Sequence, residues 1–266
     1  MTPETALDTR LFDPGRLNLL IGLFLFLAFL VMNILRARRG SAMFIRPLAG
    51  LKALEEAIGR ATEMGRPVLY VPGLGDMSEV GTLASITILS RVARRTAEMG
   101  CDLEVPGYDP VAIAIMEGSV RQSYAEAGRR DAYRPGSVHY VSAQQFAYVA
   151  AVTGYMLRER PATNIYMGSF YAESLFLAET GNQTGAIQIA GTDQVTQLPF
   201  FVCACDYTLL GEELFAASAY LGREPVQLAT IVAQDWAKAA AAAAVVTALA
   251  LSALGNPDLM KWLGAA

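Results

Sequence analysis

Five carboxylates stand in short polar or glycine-rich segments that each follow an apolar run. They are Asp76 in "GLGD", Asp109 in "GYDP", Glu173 in "GSFYAES", Asp193 in "GTDQ" and Asp206 in "CDYT". Carboxylates grouped this way can ligate Mg²⁺ or Ca²⁺ through oxygen, or work as an acid–base pair. Glu179, Glu212 and Glu213 add to the supply, but linear spacing selects no two of these acids. Glu212 and Glu213 also suit the first turn of a helix, where the macrodipole favours negative charge. The segment "TGNQTGAIQIAGTDQ" (180–194) adds neutral hydrogen-bonding groups around Asp193: Asn182, Gln183, Gln188, Thr192 and Gln194. The candidate ligand-binding residues are therefore Asp76, Asp109, Glu173, Asn182, Thr192, Asp193, Gln194 and Asp206. The plainer reading is that connections after strands are always polar; Ser78, Asp109 and Ser142 all resemble helix N-caps.

Other chemistry is poorly supplied. "VPGLGD" is neither G-x-G-x-x-G nor a Walker loop, and no G-x-S-x-G elbow occurs. The single histidine, His139, lies in an apolar run of strand length and is expected in the core. A cysteine nucleophile needs a base that the chain scarcely offers. Cys203 and Cys205 have C-x-C spacing, half a metal site at best, and with Cys101 they are expected to be buried thiols in a reducing compartment. The sequence names no cofactor, metal site or catalytic residue.

These loops sit in a chain of 266 residues that is 53% hydrophobic, with a mean hydropathy of +0.33 and net charge −4. That is apolar for a soluble domain, and the charge gives no case for nucleic acid. Residues 17–35, "LNLLIGLFLFLAFLVMNIL", carry no charge and span about 28 Å as a helix, close to the hydrocarbon thickness of a bilayer. Arg36, Arg38, Arg39 and Arg46 follow, against Arg10 and Arg16 before; this bias places the N-terminus outside and the following chain in the cytoplasm. A cleaved signal peptide fits poorly, with its basic charge on the wrong side. A second uncharged stretch ends at Gly255 and is alanine-rich. Trp236 and Trp262 flank it about 39 Å apart along a helix, a spacing that suits two interfacial belts. The alternative is an Ala-rich helix inside a protein bundle. The expected organisation is an extracytoplasmic 1–16, a span at 17–35, a cytoplasmic domain at 36–235, a second span at 237–255 and an extracytoplasmic 256–266.

Within the domain, apolar runs of strand length alternate with helical patterns: "PVLYV" (67–71), "CDLEV" (101–105), "VHYV" (138–141), "TNIYM" (163–167), "AIQIA" (186–190) and "FFVCA" (200–204). The fold class is α/β, Rossmann-like, with a mostly parallel sheet covered by helices on both faces, plus two transmembrane helices. A doubled unit supports this: Glu-Met-Gly recurs after 35 residues and Val-Pro-Gly after 34, about the length of one βα unit. In such a sheet, ligands sit beyond the C-terminal ends of the strands, where the polar segments above would cluster.

The run "FYAESLFLAETGNQTGAIQIAGTDQVTQLPFF", followed by "CDYTLLGEELFAASAYLGREP", resembles an uncharacterised bacterial family of membrane-anchored proteins known as a domain of unknown function. "RPLAGLKALEEAIGRATEMGRPVLYVPGLGD" and "QQFAYVAAVTGYMLRERPA" share the resemblance, so it covers roughly 46–236. It implies no activity or catalytic residue. Two readings follow. One is a non-enzymatic, lipid-embedded scaffold or accessory subunit in a homo-oligomer or larger membrane complex of the bacterial cytoplasmic membrane, its charge-poor surfaces pairing without desolvating ions. The other is a small-molecule-binding or metal-assisted hydrolytic domain that uses the acids at the strand ends. Transport is disfavoured, because two uncharged spans offer no pathway.

Overall fold

The computed structural model describes residues 17–39, 49–222 and 225–253. Two compact units are present: Ile45–Arg223, and Met1–Phe44 together with Glu224–Ala266. The larger unit is built on six strands, β1 (Val68–Val71), β2 (Leu103–Gly107), β3 (Val138–Tyr140), β4 (Thr163–Met167), β5 (Ile187–Thr192) and β6 (Tyr207–Leu210). Their order is β3-β2-β1-β4-β5-β6 and every neighbouring pair is parallel. The order reverses between β1 and β4, which makes that junction the topological switch point of a doubly wound sheet.

Strand residues alternate between two cores, as the period of two requires. Val68 and Tyr70 of β1 and Ile165 and Met167 of β4 enter one core. It also takes in helices α2 (Ala49–Met64), α3 (Val80–Met99), α4 (Pro110–Glu126) and α8 (Glu212–Gly222). Leu69, Val71, Tyr166 and Ala190 enter the other, against α5 (Gln145–Glu159), α6 (Glu173–Thr184) and α7 (Leu198–Ala204). There Tyr166, Phe170 and Phe201 meet with ring centroids 5.2–6.4 Å apart. The edge-to-face pairs contribute about 1 kcal/mol each beyond their burial. The doubled sequence unit is real in space: Gly65 and Gly100 end α2 and α3 in left-handed geometry (φ 61° and 71°), and the two Val-Pro-Gly runs fall at the ends of the adjacent strands β1 and β2.

Four expectations are corrected. "FFVCA" (200–204) is not a strand but most of α7; the sixth strand is 207–210. A short apolar run has no decisive period, and Pro199 in the first turn of α7 favours the helix. Cys203 is consequently exposed on that helix, and only Cys101 is a fully buried thiol. His139 is not a core residue; it stands half-exposed on the edge strand β3. Ser78 and Ser142 are not helix caps, since Glu79 and Gln144 hold those positions.

The smaller unit contains α1 (Leu17–Arg38) and α9 (Pro225–Ala253), which pack on each other. Both are long and apolar enough to cross a membrane, and only 11% and 6% of their most apolar windows are buried. The buried apolar positions are small: Ala37 on α1, and Ala229, Ala233 and Ala248 on α9. Small residues at such contacts let helix backbones approach closely. The one buried amide of α1, Asn33, donates to Phe29 O at 2.9 Å within its own helix. Trp236 is 65% exposed, whereas Trp262 and the flanking Arg10, Arg16 and Arg46 lie outside the described residues.

Candidate functional site

The loops after β1 and β4 meet at the switch point, and glycine makes the meeting possible. Gly73 has φ 82°, and a Cβ there would collide with Ser169 O, the carbonyl that accepts from Leu74 N at 2.9 Å. Gly168 has φ 135° and lies against Pro72 O with equally little room. Both positions combine a conformation that favours glycine with backbone on the side where Cβ would go. The two loops therefore close over the ends of their own strands, and the groups that reach the surface come from the loops and the helix N-termini around them.

Three carboxylates converge there. Glu79 occupies the N-cap position of α3 without a side-chain capping bond; its Oε1 instead accepts from the Tyr171 hydroxyl at 3.2 Å. Asp193, in the loop after β5, accepts from the buried Ser169 hydroxyl at 3.0 Å. Its Oδ2 lies 3.0 Å from where a Gly81 Cβ would stand, so the glycine in the first turn of α3 lets the carboxylate approach the helix. Glu173, fully buried at the start of α6, accepts from Tyr171 N at 2.7 Å and from the Gln145 amide. Tyr171 is the common neighbour. Its phenol is held above its usual range by burial first, then by the charges of Glu79, Asp193 and Glu173.

Two oxygens in this region lack partners. Glu79 Oε2 and Thr82 Oγ1 are both buried and unbonded among the described residues, and Thr82 as a whole is only 1% exposed. Both would contact a Cβ placed on Gly75. An acceptor and a hydroxyl aimed at one point beside a helix N-terminus form a small polar cradle. With Glu79 already holding the α3 N-terminus, that cradle suits a hydroxyl or cationic group better than a phosphate. No group of three or more His, Cys, Asp or Glu side chains among the described residues has the placement of a metal site.

The eight residues singled out by sequence fall in different places. Glu173 and Asp193 share the switch-point site. Asp76 stands on the loop after β1, fully exposed, where it accepts from Ser78 N at 2.8 Å and from the Ser78 hydroxyl; these bonds hold its carboxyl below the usual range. Asp109 caps α4, accepting from Ala112 N at 2.7 Å. Thr192 is buried and turns the chain, its hydroxyl accepting from Gln194 N at 3.2 Å. Asn182 and Asp206 are corrected: Asn182 is in the last turn of α6 and Asp206 precedes β6, so both lie at the opposite end of the sheet. Asp206 accepts from Gln188 N at 2.8 Å. The misreading of 200–204 as a strand is what had placed Asp206 with the others. Missing from the sequence reading were Glu79, Thr82 and Tyr171. The available signal was the acidic Glu79 followed two residues on by Gly81, at the start of α3.

The larger unit is thus an α/β domain with a doubly wound parallel sheet, and the chain also carries two helices long and apolar enough to cross a membrane. Residues 7–262 match the family described as a domain of unknown function, DUF6754, and the chain belongs to it. The match takes in α1 and α9, so both apolar helices are part of the family's architecture. No curated protein and no solved structure matches the chain.

Proposed function

We propose that this protein is a membrane-anchored accessory or scaffold subunit, fixed in the bilayer by α1 and α9, whose α/β domain docks through the C-terminal rim of its sheet. The observation that carries this is the apolar collar around that rim. Val80 and Leu83 on α3, Val111 on α4, Phe146 on α5, Leu175 on α6 and Val195 after β5 are all exposed, up to 73% at Val195. Each sits in the first turns of a helix, or a loop, that follows a strand, so they share one end of the domain. Apolar side chains gathered on one end, around a polar centre, have the make-up of an interface core rather than of a solvated surface. Arg36 and Arg38 in the last turn of α1, with Arg39 after it, support a cytoplasmic domain by the positive-inside rule.

The test is the native mass of the full chain in mild detergent. The proposal expects a homo- or hetero-oligomer that falls apart when Leu83→Asp and Phe146→Asp are combined. A monomer carrying a stoichiometric small molecule would overturn it. A second reading, a small-molecule domain, is favoured by the unpartnered Glu79 Oε2 and Thr82 Oγ1 at the switch point. It expects bound ligand that is lost in Glu79→Gln and Asp193→Asn while the assembly stays intact.

A further inference from the structure

A cavity lies away from the switch point, where the edge strand β3 and its neighbour β2 meet α5. Its volume is about 320 Å³, at the small end of ligand sites, and its walls are mixed. Pro106 and Val152 are apolar; Glu104, His139, Tyr155 and Arg158 bring polar atoms. Glu104 breaks the strand pattern: it is in register with Leu69 of β1, on the face that carries the α5-side core. A carboxylate at an interior-facing strand position contradicts the local rule, and such violations concentrate at functional sites.

The geometry around the only histidine gives this carboxylate a role. His139 Nδ1 is 3.2 Å from Glu104 Oε1 and 3.1 Å from Gly136 O. Both neighbours are acceptors, so Nδ1 carries the proton and the ring is fixed with Nε2 free, since Nε2 has no partner among the described residues. A carboxylate that sets the tautomer and angle of an imidazole is how an acceptor or base is oriented for a ligand. Arg158 is exposed and makes no ion pair among the described residues. Its guanidinium is a planar fork matched to carboxylate oxygens. Burial keeps the Tyr155 phenol protonated far above its usual range, so it acts as a donor.

We propose that this cavity binds a small aromatic carboxylate, with Arg158 holding the anion and the Glu104-oriented His139 and the Tyr155 hydroxyl contacting the same ligand over the apolar wall of Pro106 and Val152. The charged groups facing Glu104 are Arg134, which is ion-paired to Asp102, and Glu159. Arg158 is the one permanent cation in the cavity lining, and so the group that can receive an anion.

The chain's single histidine makes the test direct. Full-length protein in detergent, purified through a tag without histidine and labelled with ¹³C and ¹⁵N in histidine, gives one imidazole signal. Benzoate is expected to shift it saturably, with a Kd on the order of 1 mM for so small a ligand. Benzamide, the neutral analogue, should not, and Arg158→Gln should weaken benzoate by about tenfold or more. Glu104→Gln should change the ¹⁵N tautomer signature of the ring even before ligand is added. Absence of saturation, equal binding of benzamide, or unchanged affinity in Arg158→Gln would each overturn the proposal.

Discussion

Gln188 and Asp193 stand in one polar segment and do opposite things. Gln188 is buried in β5, beneath α6. Its Nε2 donates to Ala178 O and Ala204 O at 3.0 and 2.9 Å, and its Oε1 accepts from the Tyr166 hydroxyl at 2.8 Å. Gly181 has no Cβ because Gln188 Oε1 fills the place where one would go. This is a closed polar knot inside the core, with every side-chain atom satisfied. Asp193 lies past the strand end, half-buried, with one oxygen on Ser169 and the other facing the α3 turn. The difference teaches that polarity in a sequence does not distinguish structure from site. What distinguishes them is whether the hydrogen-bonding capacity is used up internally.

Breaking the knot gives the largest expected effect. Gln188→Ala removes the side-chain donor to Ala178 O and Ala204 O, takes one acceptor from Tyr166 and opens a cavity. It should cost about 3 kcal/mol in chemical denaturation. Asp193→Asn should cost under about 1 kcal/mol, because Ser169 keeps an acceptor. If the two variants are equally destabilised, the contrast between knot and site is wrong.

Gly73→Ala comes next. The left-handed backbone and the collision with Ser169 O should together cost about 2 kcal/mol. A variant as stable as the parent would show that the loops over the switch point are not held as tightly as their contacts imply.

Asn164 sharpens the comparison from the other side. It is in register with Gln188 on the neighbouring strand and completely buried, yet neither its Oδ1 nor its Nδ2 has a hydrogen-bond partner among the described residues. An unsatisfied buried amide destabilises, so Asn164→Leu should be neutral or stabilise by about 1 kcal/mol, read as a rise in Tm. Marked destabilisation would mean that the amide is satisfied after all.

The smallest effect is on pH. Burial raises the Glu104 carboxyl to about 7, against 4.5 for the free group, despite the opposing charge of Arg134. The folded state then binds this proton more tightly than the unfolded chain, so the contribution is complete below about 4.5 and is lost as pH rises towards 7. Stability measured across that window should fall with pH in the parent and fall less in Glu104→Gln. An identical slope in both would remove Glu104 as the cause.

Much of the fold was legible. Five of six strands, their alternation with helices and the doubled unit follow from periodicity and from Gly and Pro punctuation, because local backbone preferences and a buried face leave their period in the chain. The sixth strand was not, since an apolar run of five residues suits either element. Asp109 was readable as a cap because capping is a bond over three residues. Glu173 and Asp193 were placed correctly because the strands before them were.

What the sequence determined by itself is what local physics dictates: an α/β domain with a parallel sheet, and two stretches apolar and long enough to cross a bilayer. The tertiary structure decided which polar groups meet. Only the crossing of β4 beside β1 brings Glu79, Tyr171, Glu173 and Asp193 together, over sequence separations that no local pattern encodes. Only the pairing of β2 with β3 sets His139 against Glu104. The order of strands is chosen by the packing of whole helices on both faces of the sheet, and that choice is written in volumes and contacts across the fold.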